Sequence, residues 1–148
     1  MKSLLIVLAV FASSFTSTGF ARETVKVSNA ALKNFNSTFS TAAEVNWSAT
    51  NGFYKANFVF KGQHAAAFFN EDGTLAAVTR NISSLQLPFS LQVSLKQDYS
   101  AFWISELFEV STDHGTEYYM TLENSDQKVI LKATPNGSWS KHKKTRKL

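Results

Sequence analysis

The sequence has no cysteine, and this absence excludes several classes of protein at once. Without thiols the chain cannot form a disulfide-stabilised scaffold, a cysteine zinc site or an iron–sulfur cluster, and it has no thiol nucleophile. A lipid anchor attached through an N-terminal cysteine is excluded for the same reason. We therefore expect the folded protein to be stabilised by side-chain packing alone.

Groups that could carry catalysis are also few and scattered. The three histidines, His64, His114 and His142, form no His-x-x-x-His pair, and the chain has neither an acidic cluster nor a glycine-rich phosphate loop. Asp72 stands in a turn-forming stretch that has too few carboxylates for a Ca²⁺ loop. The sequence thus predicts a protein that is not an enzyme, with no catalytic residues, no metal site and no cofactor.

Long apolar runs are missing as well, since the run from Leu4 to Ala12 is shorter than the roughly 20 residues that cross a membrane. Lys2 precedes this run, and a predicted cleavage site with small residues follows it and ends at Ala21. This order is typical of a secretory signal peptide over residues 1–21. After cleavage we expect no integral membrane segment. Export without cysteine favours a bacterial envelope location, either periplasmic or secreted.

Acidic residues are outnumbered, with 11 against 15 basic residues, a net charge of +4 and a pI near 9.4. The excess lies in a C-terminal tail, residues 141–148, and residues 22–140 are slightly acidic. The tail contributes five cations, Lys141, Lys143, Lys144, Arg146 and Lys147. We interpret it as a solvated, frayed terminus and expect no nucleic-acid partner. Contact of these cations with an anionic surface, such as lipid or polysaccharide, is the alternative.

Two similar series of elements follow the signal peptide. Ser28 is typical of a helix cap, and the helix that follows, up to Phe39, presents an apolar face. Pro88 favours a second helix over 88–98, although Phe89, Leu91, Val93 and Leu95 alternate as in a strand. The strands of the first series are predicted at 43–49, 53–61, 64–70 and 74–81. Those of the second series are predicted at 102–111, 116–123, 128–133 and 138–143.

The repeated order predicts an α+β fold made of two units, residues 22–84 and 85–140. Each unit is one helix lying on a four-stranded antiparallel sheet, and the two units together form a tandem repeat. Turn signals separate the strands at similar places in both halves, among them Asn51-Gly52 and His114-Gly115.

Several turn and aromatic motifs of this chain resemble those of one family of exported bacterial proteins. These motifs occupy residues 43–47, 52–58, 67–73, 85–88, 115–122 and 135–139. The family comprises Bacteroidetes-type proteins described as PepSY-like or β-lactamase-inhibitor-protein-like (BLIP-like). The resemblance implies tandem helix-plus-four-strand units, a periplasmic or secreted location and no catalytic residues.

Strand alternation then predicts which side chains face away from the helices. The inward sets are Tyr54, Ala56, Phe58 and Phe60 in the first unit and Tyr118, Met120 and Leu122 in the second. The opposite, open face holds Phe53, Lys55, Asn57, His64, Phe68, Glu117, Tyr119 and Thr121. Aromatic rings among polar groups are typical of protein-binding surfaces, so we expect an exported binding module for a protein or peptide of the cell envelope.

Two other interpretations of this face stay open. Its aromatic residues would be ordinary core if another layer covers them. A closed pocket that contains His64 and acidic residues would indicate a small-molecule-binding protein of the NTF2-like kind.

Overall fold

The predicted signal peptide, residues 1–21, lies outside the part of the chain that the computed structural model describes, which is residues 25–146. This part is an α+β fold with two α-helices and an eight-stranded antiparallel sheet, whose strands follow the order of the sequence. It divides into two compact units between Val78 and Thr79. Ile82, which precedes the predicted boundary at residue 84, belongs to the core of the second unit.

The helix of the first unit begins at the serine that the sequence marks as its cap. Helix α1 spans Asn29–Thr38, and Ser28 Oγ accepts a hydrogen bond of 3.2 Å from the backbone N–H of Ala31. This bond satisfies one of the N–H groups that have no partner within the helix. The helix ends with Phe39 as its C-cap, so the predicted element is confirmed.

The strands of the first unit are joined by the predicted short turns. They are β1 (Ala43–Thr50), β2 (Phe53–Phe60), β3 (Gln63–Phe69) and the first part of β4 (Leu75–Asn81). Asn51-Gly52 and Lys61-Gly62 connect the first three strands, and all four residues have positive φ. Positive φ at both central residues matches the right-handed twist of the strands that such a turn connects.

One face of these strands packs against α1. The core of the unit consists of Ala31, Phe35, Phe39, Ala56, Phe58, Ala67 and Phe69. Tyr54 and Phe60 pack against this core and are partly buried. The inward set predicted for β2 is therefore confirmed.

The second unit has a helix where proline and alternation gave opposite signals. Helix α2 spans Phe89–Asp98, with Pro88 as its N-cap, and a short 3₁₀ turn precedes it at Ser84–Gln86. Leu91 is buried, and its carbonyl oxygen accepts a hydrogen bond of 3.0 Å from Trp139 Nε1. The predicted helix is confirmed, and the indole anchors it to the segment before the last strand.

Four further strands complete the second unit. They are β5 (Trp103–Thr112), β6 (Gly115–Glu123), β7 (Gln127–Ala133) and β8 (Ser140–Arg146). The inward set predicted for β6, Tyr118, Met120 and Leu122, lies in the core with Val129 and Leu131. Leu91 of α2 belongs to the same core.

The strand predicted at 138–143 is present from Ser140 and continues to Arg146, so the interpretation of residues 141–148 as a frayed terminus is wrong as far as residue 146. Strand β8 pairs antiparallel with β7, from Lys132↔Ser140 to Gln127↔Arg146. Charge composition suggested a solvated tail, but main-chain pairing does not require apolar side chains on both faces. Lys147 lies outside the described residues.

Candidate functional site

The sheet face opposite α1 carries the five residues predicted for it in the first unit. Phe53, Lys55 and Asn57 lie on β2, and His64 and Phe68 lie on β3. Lys55 is directly opposite Phe68 across the two strands. Alternation therefore assigned these side chains to the right face.

Most of this face is buried. Phe53 and Lys55 are each 8% exposed, and Phe68 is fully buried. Lys55 Nζ lies 5.6 Å from the centre of the Phe68 ring, a cation–π distance, and burial lowers the pKa of its ammonium group. Only Asn57 and His64 are exposed. Phe53 and Phe68, which alternation predicts to be open, are thus buried in the structure.

The equivalent face of the second unit is centred on Tyr119. Its ring stacks on Phe108 with centroids 5.5 Å apart, and the His142 ring meets it edge-on at 5.9 Å. Lys132 Nζ lies 5.7 Å from the ring centre. Side chains from β5, β7 and β8 thus lie against Tyr119. They explain why it is 3% exposed, although alternation predicts it to be open.

The polar groups around Tyr119 have partners within the same face. Tyr119 Oη donates a hydrogen bond of 3.0 Å to Glu117, and Glu117 also forms an ion pair of 2.7 Å with Lys132. Burial and the neighbouring carboxylate raise the pKa of Tyr119. Thr121, which is buried, donates a bond of 3.2 Å to Glu106. These groups hold one another in place and form a charge-paired surface.

A different surface of the second unit exposes large apolar side chains, and the sequence prediction did not identify it. Leu85, in the 3₁₀ turn, is 82% exposed, Phe89 is 80% exposed and Val93 is 37% exposed. We call these three residues the α2 stripe. Phe89 and Val93 are four residues apart and lie on the side of α2 away from the buried Leu91, whereas Leu85 precedes the helix and is separated from it by the extended residues Leu87 and Pro88.

The α2 stripe lies in a segment of the sequence without charged side chains. Residues 81–95 contain no Asp, Glu, Lys or Arg, in a chain of which 18% is charged. The alternation of Phe89, Leu91, Val93 and Leu95 was the available signal. In a helix, such a pattern makes opposite sides apolar, and only one of those sides can face the core.

Other kinds of site receive no support from the residues that the structure describes. Within 25–146, no group of three or more His, Asp or Glu side chains could hold a metal ion. No helix in that range has the length and apolar character to span a membrane. An open depression in the second unit is lined by Asp126, Gln127, Lys144 and Arg146, and His64 is not part of it.

The fold and these faces define an α+β protein whose helices each cover one side of an antiparallel sheet. No protein-family model matches the chain, and neither does any curated protein. Similarity is found among solved structures. A BLIP-like protein from Bacteroides fragilis matches with a TM-score of 0.72 at 16% identity, covering 84% of this chain and 89% of that chain.

Two further structures have nearly the same similarity. A DUF2874 family protein from Bacteroides ovatus has a TM-score of 0.71 at 20% identity, covering 86% of this chain and 89% of that chain. A candidate periplasmic protein from Bacteroides eggerthii has a TM-score of 0.71 at 16% identity, covering 86% and 90%. The resemblance to BLIP-like proteins is thus confirmed as a likeness of fold.

Proposed function

We propose that this chain is an exported, non-catalytic binding module whose partner is a protein or peptide of the cell envelope. The observation that carries the proposal is the exposure of Leu85 and Phe89, at 82% and 80%. Water contact at two large apolar side chains is unfavourable, and burying each of them against a partner is worth about 1.5–3 kcal/mol. Contiguous exposed apolar residues are typical of interaction surfaces.

The α2 stripe favours an uncharged, apolar groove as the surface of the partner. Phe89 and Val93, one helical turn apart, are the kind of apolar pair with which a helix docks in such a groove, and Leu85 adds an exposed apolar side chain in the preceding turn. Residues 81–95 carry no charge, so within this segment no ionic group has to be desolvated when the anchors are buried. We include Asn57 and His64, the exposed polar residues of the sheet face of the first unit, as a second surface that could contact a partner.

Photochemical cross-linking tests this surface directly. Benzoylphenylalanine in place of Phe89 is expected to give one discrete adduct with an envelope extract of the organism that carries the gene. The additional change Leu85→Gln should lower the adduct yield at least about tenfold, because it removes an apolar anchor. Since both positions are exposed, the free energy of unfolding should change by less than about 0.5 kcal/mol.

The matched control places the same photoreactive residue at Asn36, which is exposed on α1 of the first unit. Identical adducts from positions 36 and 89 would mean that the cross-linking is non-specific. An adduct of this chain with itself would indicate a second copy on the α2 stripe in place of another protein.

The exported location is tested on the N-terminus of the protein in its host. We expect the protein purified from the envelope fraction to begin at Arg22, as determined by N-terminal sequencing and intact mass. The matched control is Ala21→Arg, which introduces a large charged residue at the predicted cleavage position and should leave residues 1–21 attached. A wild-type protein that begins at Met1 in the cytoplasmic fraction would contradict export.

We also infer that the two units are repeats of one αββββ unit. Each has a helix ahead of its strands, and the first strand of each is irregular near its start, between Ala43 and Asn46 in β1 and between Ile104 and Glu106 in β5. The turns that follow these strands both contain a glycine with positive φ, Gly52 and Gly115. These shared irregularities support the inference beyond the order of the elements.

A further inference from the structure

Strand β8 is an edge strand with an open side. It pairs with β7 on one side, and among the described strands it has no neighbour on the other. All seven residues of Ser140–Arg146 are exposed. An edge strand presents a row of main-chain N–H and C=O groups to which another extended chain can pair.

The charge of β8 is positive and uncompensated. Its four cations are Lys141, Lys143, Lys144 and Arg146. Lysines of the neighbouring strand β7 are engaged, since Lys128 and Lys132 form ion pairs with Glu123 and Glu117. No ion pair joins any of the four β8 cations to another residue within 25–146.

The cations lie on both sides of the strand, with most of them on one side. Lys144 and Arg146 are opposite Val129 and Gln127, and Lys141 is opposite Leu131. Val129 and Leu131 belong to the core beneath α2, so these three cations lie on the α2 side of the sheet. Lys143, opposite Ile130, lies on the other side. A strand added to β8 would therefore meet positive charge along both of its faces.

We propose that β8 binds an extended acidic peptide segment of another protein by β-strand addition. Main-chain hydrogen bonds supply affinity in this mode of recognition, and side chains of alternate residues supply specificity. Opposite charges directly across a strand pair stabilise it, whereas like charges destabilise it. The same cations therefore repel the β8 strand of a second copy, which excludes self-pairing while an acidic strand is accepted. This proposal uses none of the residues of the α2 stripe.

The test measures binding of a fluorescent peptide of alternating Thr and Glu, matched to β8 in length, by anisotropy. A peptide of the same sequence in which every backbone amide is N-methylated keeps every carboxylate but cannot donate hydrogen bonds to the main-chain ladder. We expect it to bind at least about tenfold more weakly. A peptide of alternating Thr and Lys should not bind.

Charge reversal in the protein supplies the complementary arm. The double variant Lys144→Glu, Arg146→Glu should raise the Kd of the Thr-Glu peptide at least about tenfold, because two attractive cross-strand pairs become repulsive. The control Lys33→Glu, Lys96→Glu makes the same change in net charge at exposed helix positions. It should change the Kd less than about twofold, because both residues lie on helices and neither can form a cross-strand pair with a peptide on β8.

Three outcomes would overturn the proposal. Equal binding of the N-methylated peptide would show attraction between charges without strand addition. An equal loss of affinity in the helix control would show that only net charge matters. Binding to phosphatidylglycerol vesicles that the β8 variant abolishes, with no competition by the Thr-Glu peptide, would identify a lipid surface as the ligand. The result expected for an acidic strand is that the Thr-Glu peptide binds the wild-type protein more tightly than either control peptide does. It should also bind the wild-type protein more tightly than the β8 variant.

Discussion

Replacing Gly73 by alanine is expected to lower the free energy of unfolding by about 2–5 kcal/mol. A Cβ atom at this position would lie 2.5 Å from Ala30 Cβ, 2.6 Å from the Ala30 carbonyl carbon and 2.7 Å from Ala31 N. Two of these three atoms are main chain of the first turn of α1, so they cannot move aside as a side chain would. Gly73 also has φ of +88°, a conformation that favours glycine.

A second glycine separates the steric contribution from the backbone contribution. Gly62 has φ of +76°, but a Cβ atom there would have nothing within 4 Å. Gly62→Ala should therefore cost only about 1 kcal/mol, from the positive φ. Urea unfolding of both variants measures the difference. Equal midpoints for the two variants would contradict the close approach of the turn to α1.

The contact at Gly73 also predicts that a second substitution will not restore stability. Ala30→Gly removes the Cβ atom that lies at 2.5 Å, but it leaves the two main-chain contacts in place. We expect the double variant Ala30→Gly, Gly73→Ala to recover less than half of the loss. Because glycine in the first turn of a helix is itself unfavourable by about 1 kcal/mol, Ala30→Gly alone is measured as the reference.

Local signals in the sequence were enough to predict most elements of the fold. The cap at Ser28, the proline at 88 and the turn residues each act within a few residues, so their effect is visible without knowledge of the tertiary structure. The inward sides of β2 and β6 follow from a period of two, which is a property of the strand itself. What encloses a face is set by residues distant in sequence.

The candidate site shows this limit. Alternation assigned Tyr119 to the correct face, but it carries no information on Phe108 and His142, which cover the ring from other strands. The same limit applies to Phe89. The sequence shows that it belongs to an alternating series of apolar residues, but not that its side chain is 80% exposed. A lone sequence does not tell which of two apolar sides of a helix meets the core.

The basic terminus was misjudged for a related reason. Composition describes side chains, whereas the pairing of β8 with β7 depends on main-chain groups that every residue except proline supplies. Lysines at an edge strand limit unwanted pairing and so are compatible with a strand. A run of cations without proline is thus compatible both with a frayed tail and with an edge strand whose lysines limit unwanted pairing.

Phe35→Ala is expected to lower the free energy of unfolding by about 3–5 kcal/mol. Phe35 is 3% exposed and lies at the centre of the aromatic core of the first unit. Its ring centroid is 5.0 Å from that of Phe58, 5.2 Å from that of Trp47 and 5.3 Å from that of Phe39. Truncation would remove all of these contacts and leave a cavity under α1.

The matched control is Phe89→Ala, which deletes the same atoms from a ring that is 80% exposed and should change the free energy by less than about 0.5 kcal/mol. Both variants are unfolded in urea and followed by far-ultraviolet circular dichroism, since the fluorescence of Trp47 overlaps that of Trp103 and Trp139. If Phe35→Ala fails to fold, Phe35→Leu provides a milder test, with an expected loss of about 1–2 kcal/mol. Equal losses for Phe35→Ala and Phe89→Ala would mean that the aromatic cluster does not hold α1 on the sheet. A large loss of stability in Phe35→Ala alone would show that the aromatic cluster stabilises the first unit. This is the result expected for a chain that has no cysteine and therefore depends on side-chain packing.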